Sequence, residues 1–157
     1  MEYRYTVYER PKRIDAVCDH CGKPFVFHSE PPSSEKLDSG GEGPIAWGGA
    51  VEGEIKGQGA CPSCTRQAHT IAWPAAARYQ VALREGLFWC WNAQQLPALR
   101  AKIAGDRHAI RAIERTDWQL TRILGRVPKF ALLLRNRPRL LRELDRWIQE
   151  AAESPEG

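Results

Sequence analysis

Apolar and polar positions change period partway along the chain. Tyr3, Tyr5 and Val7 alternate with polar neighbours, which predicts a strand; Arg10-Pro11-Lys12 reads as a turn, and Ile14 to Val17 as the strand beyond it. Pro24 to His28 predicts its return. Ser29 to Gly43 is too rich in Ser, Pro, Gly and charge to pack, and is expected to be a flexible loop. Ile45 to Ile55, with Gly48, Gly49 and Gly53, predicts a bulged strand, and Thr65 to Trp73 another that Pro74 ends. Residues 78–83 and 87–92, joined by Arg84-Glu85-Gly86, predict a β-hairpin with Gly86 at positive φ. Its second strand, Leu87-Phe88-Trp89-Cys90-Trp91, is apolar on both faces and so should be covered on both, by the earlier sheet and by helices. A core strand is the expected use of these aromatics rather than a base-stacking platform, and Cys90 reads as a small buried hydrophobe.

The period then lengthens. Asn92 with Gln95 resembles a capping box, and Leu96, Leu99 and Ile103 recur at helical spacing up to Gly105, a plausible C′ residue, with Pro97 moving the helix start toward Gln95. A second helical stretch follows Asp106, runs to Leu124 and stops around Gly125 and Pro128. Lys129 to Leu134 predicts a short apolar helix or turn. Asn136 then caps a final helix with Pro138 in its first turn, extending to about Ala152. Strands first and helices after define an α+β protein. Residues 1–75 form an antiparallel β ribbon with the loop 29–43, residues 76–152 the hairpin and a bundle of three to four α-helices, and 153–157 an acidic tail.

At 157 residues and 43% hydrophobic content, two small modules fit the length, and the first is short enough to need a staple. Two Cys-x-x-Cys pairs, Cys18-Asp19-His20-Cys21 and Cys61-Pro62-Ser63-Cys64, supply one. Four thiolates on two tight turns match a single tetrahedral Zn²⁺, and Gly22 allows the backbone to fold over a sulfur. A closed four-sulfur site has no open position for substrate, so it serves structure and not catalysis. His20 lies inside the first ligand loop but is less suited to the ion than Cys21, while His28, His69 and His108 have no evident catalytic partner. A thioredoxin-like use of Cys-Pro-Ser-Cys would need a βαβ context that is lacking here. Met1-Glu2-Tyr3-Arg4-Tyr5 has no apolar signal core, and no stretch approaches the ~18 apolar residues of a membrane span, so the expectation is a cytoplasmic protein with reduced thiols.

The formal charge of +4 hides an asymmetry. Residues 1–73 hold 8 Lys+Arg and 10 Asp+Glu, or −2, whereas residues 74–149 hold 15 and 6, or +9. If residues 107–126 form one helix, Arg107, Arg111, Arg115, Arg122 and Arg126 fall within a sector of roughly 100°, with Trp118 among them. A break at Thr116-Asp117, a good N-cap, would instead turn Trp118 toward the core. In the last helix Leu140, Leu141, Leu144, Trp147 and Ile148 share one side, and Arg139, Arg142 and Arg146 the other, diluted by Glu143 and Asp145. Such stripes either solvate a helix or attract polyanions.

The knuckles Cys18-x-x-Cys21-Gly22 and Cys61-x-x-Cys64 resemble the zinc-ribbon superfamily over about the first half of the chain. The continuation, with Trp73-Pro74, Leu87 to Asn92 and Asn136-Arg137-Pro138, resembles a group of small bacterial zinc-ribbon proteins. The resemblance implies the metal site and the β-then-α layout and carries no activity; the long loop after Ser29 and Cys90 depart from it. Two functions remain: a non-enzymatic DNA- or RNA-binding protein using these arginines and Trp118, or an adaptor that docks on another protein by sheet edges or an apolar face.

Overall fold

The computed structural model describes residues 10–30 and 53–154. The expectations for Tyr3 to Val7, for 31–43 of the loop, for 45–52 of the bulged strand and for 155–157 of the tail lie outside them. Strands β1 (Arg13–Val17), β2 (Pro24–Ser29), β3 (Gly53–Ala60) and β4 (Gln67–Trp73) form one antiparallel sheet in sequence order. Register follows the alternation of the sequence. Ile14 faces Phe27, Ala16 faces Phe25, and Ile55 faces Ile71, so one face of the sheet is apolar and buried.

Two glycines let β3 pass under the phenylalanines. A Cβ on Gly57 would sit 2.1 Å from the His28 carbonyl oxygen and 2.7 Å from the Phe27 ring, and one on Gly59 would sit 2.7 Å from the Val26 carbonyl oxygen. The register of β3 against β4 slips between Lys56 and Gly59, so the bulge lies beyond the stretch where the sequence suggested it. Strand β4 starts at Gln67 and not at Thr65, because Thr65 and Arg66 belong to the second cysteine turn.

Strands β5 (Tyr79–Ala82) and β6 (Leu87–Cys90) make a separate hairpin. Leu83 and Gly86 exchange backbone hydrogen bonds of 2.9 and 3.3 Å around Arg84-Glu85. Positive φ was expected at Gly86 and does not occur; among described glycines only Gly22 and Gly105 have it. The turn is closed by the Leu83/Gly86 pair, and its side chain work is done by Glu85, which accepts from Arg135 Nη2 at 2.8 Å and Asn136 Nδ2 at 2.9 Å. Asn136 therefore stands at a helix N-cap without capping; its amide is drawn to Glu85 and to the Phe130 carbonyl.

Phe88, Trp89, Cys90 and Trp91 are all buried, as the doubly apolar strand predicts. Trp89 and Trp91 pack on Trp73 at the end of β4, and Tyr79 lies 5.8 Å from Trp147 of the last helix. The hairpin thus joins sheet and helices, and one continuous buried cluster runs from Ile14 to Trp147. Burial pushes the Cys90 thiol well above its ordinary pKa, so it is no nucleophile at neutral pH.

A single 3₁₀ turn (Ala93–Gln95) leads into α1 (Leu96–Ala104), followed by α2 (Arg107–Thr116), α3 (Trp118–Leu124), a 3₁₀ turn at Lys129–Leu132 and α4 (Arg137–Glu153). The Asn92/Gln95 pair is wired one residue off a capping box: Asn92 Oδ1 accepts from Gln94 N, while Gln95 Oε1 accepts from Trp91 N. Helix α1 is apolar around most of its girth and packs against α4, α2 and α3, so it is the axis of the helical half. Gly105 ends it in the left-handed region, φ 73°, with its amide reaching the Lys102 and Ala101 carbonyls. Gly105→Ala is expected to cost about 1 kcal/mol, since the added Cβ meets nothing closer than 3.9 Å and only the backbone conformation is penalised. Thermal melting of the variant checks this.

Candidate metal centre and basic surface

The two cysteine turns are built alike. In the first, Gly22 N donates to the Cys18 carbonyl at 2.9 Å and Cys18 N to the Lys23 carbonyl at 2.8 Å. In the second, Thr65 N donates to the Cys61 carbonyl at 2.9 Å and Cys61 N to the Arg66 carbonyl at 2.9 Å. Position 22 takes positive φ with glycine, whereas the equivalent Thr65 takes it, at 62°, with a β-branched side chain, a strained choice that the turn imposes. Its hydroxyl donates to the Cys64 carbonyl at 2.6 Å.

This repetition brings the four sulfurs together. Cys18 Sγ lies 3.7 Å from Cys64 Sγ and Cys21 Sγ 3.5 Å from Cys61 Sγ, and all four fall within 4.8 Å of one another. Four sulfurs about 2.3 Å from a tetrahedral ion stand about 3.8 Å apart. The sulfurs of all four predicted ligands are therefore spaced for one ion, although they are separated by up to 46 residues of sequence. Two soft thiolate pairs in this geometry suit zinc or iron. Among the described residues no other group of three or more His, Cys, Asp or Glu is so placed, and His20 adds only its backbone amide, 3.4 Å from Cys18 Sγ.

The turn amides prepare these sulfurs to lose protons. Amides of Cys64 and then Ser63 lower the Cys61 thiol to about 7, and those of Cys21 and His20 lower Cys18. Cys64 moves the other way, to about 12: the Arg66 amide opposes the rise, but burial and the crowding of Cys18, Cys21 and Cys61 outweigh it. Without a cation, four thiolates would repel one another; a divalent ion removes that conflict by replacing the protons.

Away from this centre, the stretch 107–126 is two helices and not one. Asp117 breaks it, with Oδ1 accepting from Leu120 N at 3.0 Å to cap α3. The break was expected to turn Trp118 inward. It does not: Trp118 is 66% exposed, and the Arg122 guanidinium lies 5.6 Å from its ring centre. Helix α2 buries no residue completely, leaning on the core only by Ile110 and Ile113, and it exposes Arg107, Arg111 and Arg115. Arg122 is also exposed and Arg126 half-buried.

Helix α4 exposes Arg139, Arg142 and Arg146. Among the described residues no carboxylate lies within salt-bridge reach of Arg107, Arg111, Arg115, Arg139 or Arg142, whereas Arg146 contacts Glu143 and Glu150, and Arg100 contacts Asp145. Helices α2 and α4 both pack on α1, so the two arginine sets lie on neighbours of the same central helix.

Sequence reasoning missed Asp15. It is 2% exposed, accepts from Ala93 N at 2.8 Å and Arg13 Nε at 3.2 Å, and its backbone bonds to Trp91 and Arg78. With Val17 N donating to the Ala76 carbonyl, these bonds occupy the outer edge of β1. A charged residue amid an apolar alternation was the available signal.

No helix among the described residues is long and apolar enough to cross a membrane. No protein-family profile matches the chain, and no curated protein or solved structure matches it either.

Proposed function

We propose that this is a non-enzymatic zinc-ribbon protein that binds nucleic acid, DNA or RNA, through the arginines of α2, α3 and α4. The observation that carries this reading is the set of five exposed arginines, Arg107, Arg111, Arg115, Arg139 and Arg142, with no carboxylate in reach among the described residues. Solvating arginines are commonly offset by acidic neighbours, as Arg146 is by Glu143 and Glu150. Guanidinium groups left with their charge uncompensated form a field that phosphates complete, releasing condensed counterions. Arg122, Arg126 and Trp118 extend the surface. In this reading the ion is a single structural Zn²⁺ on Cys18, Cys21, Cys61 and Cys64, which fixes the scaffold and takes no part in chemistry. Ligands that must stay reduced suit a cytoplasmic protein.

The test is retention on nucleic acid across a salt series. Reversing α2 with Arg107→Glu, Arg111→Glu and Arg115→Glu is expected to weaken binding at low salt by about 100-fold or more and to lower the salt slope by about 3. Arg146→Ala, whose charge already has two partners, should change affinity least. No retention by the wild type at low salt would overturn the reading. The alternative, an adaptor for another protein, is favoured by Leu132, Leu133 and Leu134, which lie exposed in sequence, Leu134 at 74%. Its signature is a co-purifying partner that nuclease and salt leave in place.

A further inference from the structure

We infer that helix α2 enters the major groove of duplex DNA, which makes the DNA duplex, and neither RNA nor a single strand, the partner of this surface. This rests on the nucleic-acid reading and narrows it to one substrate class. The inference is carried by how α2 stands out from the body, by which side of it carries charge, and by the dimensions of the grooves.

Helix α2 is a rod of ten residues, about 15 Å long. Seven of the ten are exposed, and the other three, Ala109, Ile110 and Ile113, are half-buried. Its neighbours are set differently: α1 buries five residues and α4 three. A helix so weakly sunk in the core depends on its own ends. Asp106 Oδ1 accepts from Ala109 N at 3.1 Å, Asp117 N donates to the Ile113 carbonyl at 2.8 Å, and the Thr116 hydroxyl donates to the Ala112 carbonyl at 2.8 Å. The rod is thus closed at both ends and open along its outer side.

That outer side is where the cations are. At about 100° per residue, Arg115 and His108 point directly away from the side held by Ile110 and Ile113, with Arg111 and then Arg107 next to them. Glu114 falls at the edge of this arc. Among the described residues no carboxylate, Glu114 included, lies within salt-bridge reach of Arg107, Arg111 or Arg115. Three guanidinium forks one helical turn apart can therefore reach guanine O6 and N7 or the phosphates beside them. Arg139 and Arg142 on α4, which packs on the same α1, are left to meet phosphates outside the groove.

Shape selects the duplex. A helix with its side chains is about 10–12 Å across, and the major groove of B-form DNA is about 12 Å wide and about 8.5 Å deep, whereas the minor groove is about 6 Å wide. The major groove of an RNA duplex is too deep and narrow for side chains to read. A single strand offers no groove, and its bases seek aromatic faces, yet Arg107–Thr116 contains no Phe, Tyr or Trp.

The test compares, by anisotropy at low salt, a fluorescein-labelled DNA duplex with an RNA duplex and a DNA single strand of the same sequence and length. Wild-type protein is expected to bind the DNA duplex roughly 10-fold or more tightly than either. A DNA duplex carrying glucosylated 5-hydroxymethylcytosine, whose sugars fill the major groove, should be bound roughly 10-fold or more weakly than the plain duplex, and netropsin, which fills the minor groove, should change little. Replacing Arg107, Arg111 and Arg115 together by Ala should bring the DNA-to-RNA ratio down to about one while weaker, salt-dependent binding persists through α4. Because the three side chains are exposed, this variant should melt with the wild type by circular dichroism, and the glucosylated duplex probes the groove with no variant at all. Equal affinity for the DNA and RNA duplexes, tighter binding of the single strand, or indifference to glucosylation would overturn the groove assignment and leave the nucleic-acid reading standing. No binding of any probe would overturn both.

Discussion

Stripping the metal, or replacing Cys61 by Ser, is expected to unfold the sheet of residues 13–73. Apparent binding free energies of structural zinc in small modules are about 10–16 kcal/mol, comparable with or larger than the whole stability of an ordinary domain. Three features make the loss large here. The two cysteine turns join β1 to β2 and β3 to β4, so the ion ties both ends of the sheet's connections. Thr65 holds positive φ at 62°, a strained conformation that lasts only while the cysteine turn around it is held in place. Four close sulfurs with thiols displaced in both directions from their usual range become an unfavourable cluster once the cation has left. Elemental analysis should find one ion per chain in the wild type and none in Cys61→Ser, with loss of strand signal by circular dichroism. Cys90→Ala is the contrasting variant: its sulfur is buried and is not among the four that cluster, and metal content should stay at one. A wild type that folds with no stoichiometric metal would contradict the architecture at its foundation.

The cysteine turns were legible because their chemistry is local. Spacing within each Cys-x-x-Cys fixes a turn, and four identical donors leave little choice of partner. The buried hairpin strand was legible for the related reason that Trp89 and Trp91 have no polar alternation to suggest a wet face. Elements failed to be read where a side chain answers to something distant. Asn136 looks like a cap, but Glu85, 51 residues away, competes for its amide. Asp15 looks like the wet position of a strand, yet the Ala93 amide 78 residues on draws it inside. Trp118 posed a different problem. Helical periodicity relates it to its own helix, whereas its exposure depends on how α3 is set against α1, a tertiary contact that the period of α3 alone does not carry.

Trp73→Ala is expected to cost about 5 kcal/mol, the largest effect of any single side chain outside the cysteines. Removing a buried tryptophan ordinarily costs about 3–5 kcal/mol, from lost transfer energy and the cavity left behind. Trp73 belongs at the upper end because it also loses two ring contacts, each worth about 0.5–1.5 kcal/mol beyond area. It stacks on Trp91 with centroids 4.6 Å apart and planes 10° apart, and meets Trp89 edge-on at 5.4 Å. Relaxation offers little relief, since Trp89 and Trp91 hold each other at 4.8 Å and cannot both close on the gap. For a chain of this size the melting temperature should fall by about 15 °C. Trp73→Phe should lose about half as much: among the described residues the indole Nε1 has no hydrogen-bond partner, so only apolar contact is forfeited. The ring joins β4 to β6, and β5 beside it carries the Tyr79 contact to Trp147, so the sheet and helix signals should shift together. A shift below about 3 °C in either would mean that the three tryptophans do not join the two halves of this molecule.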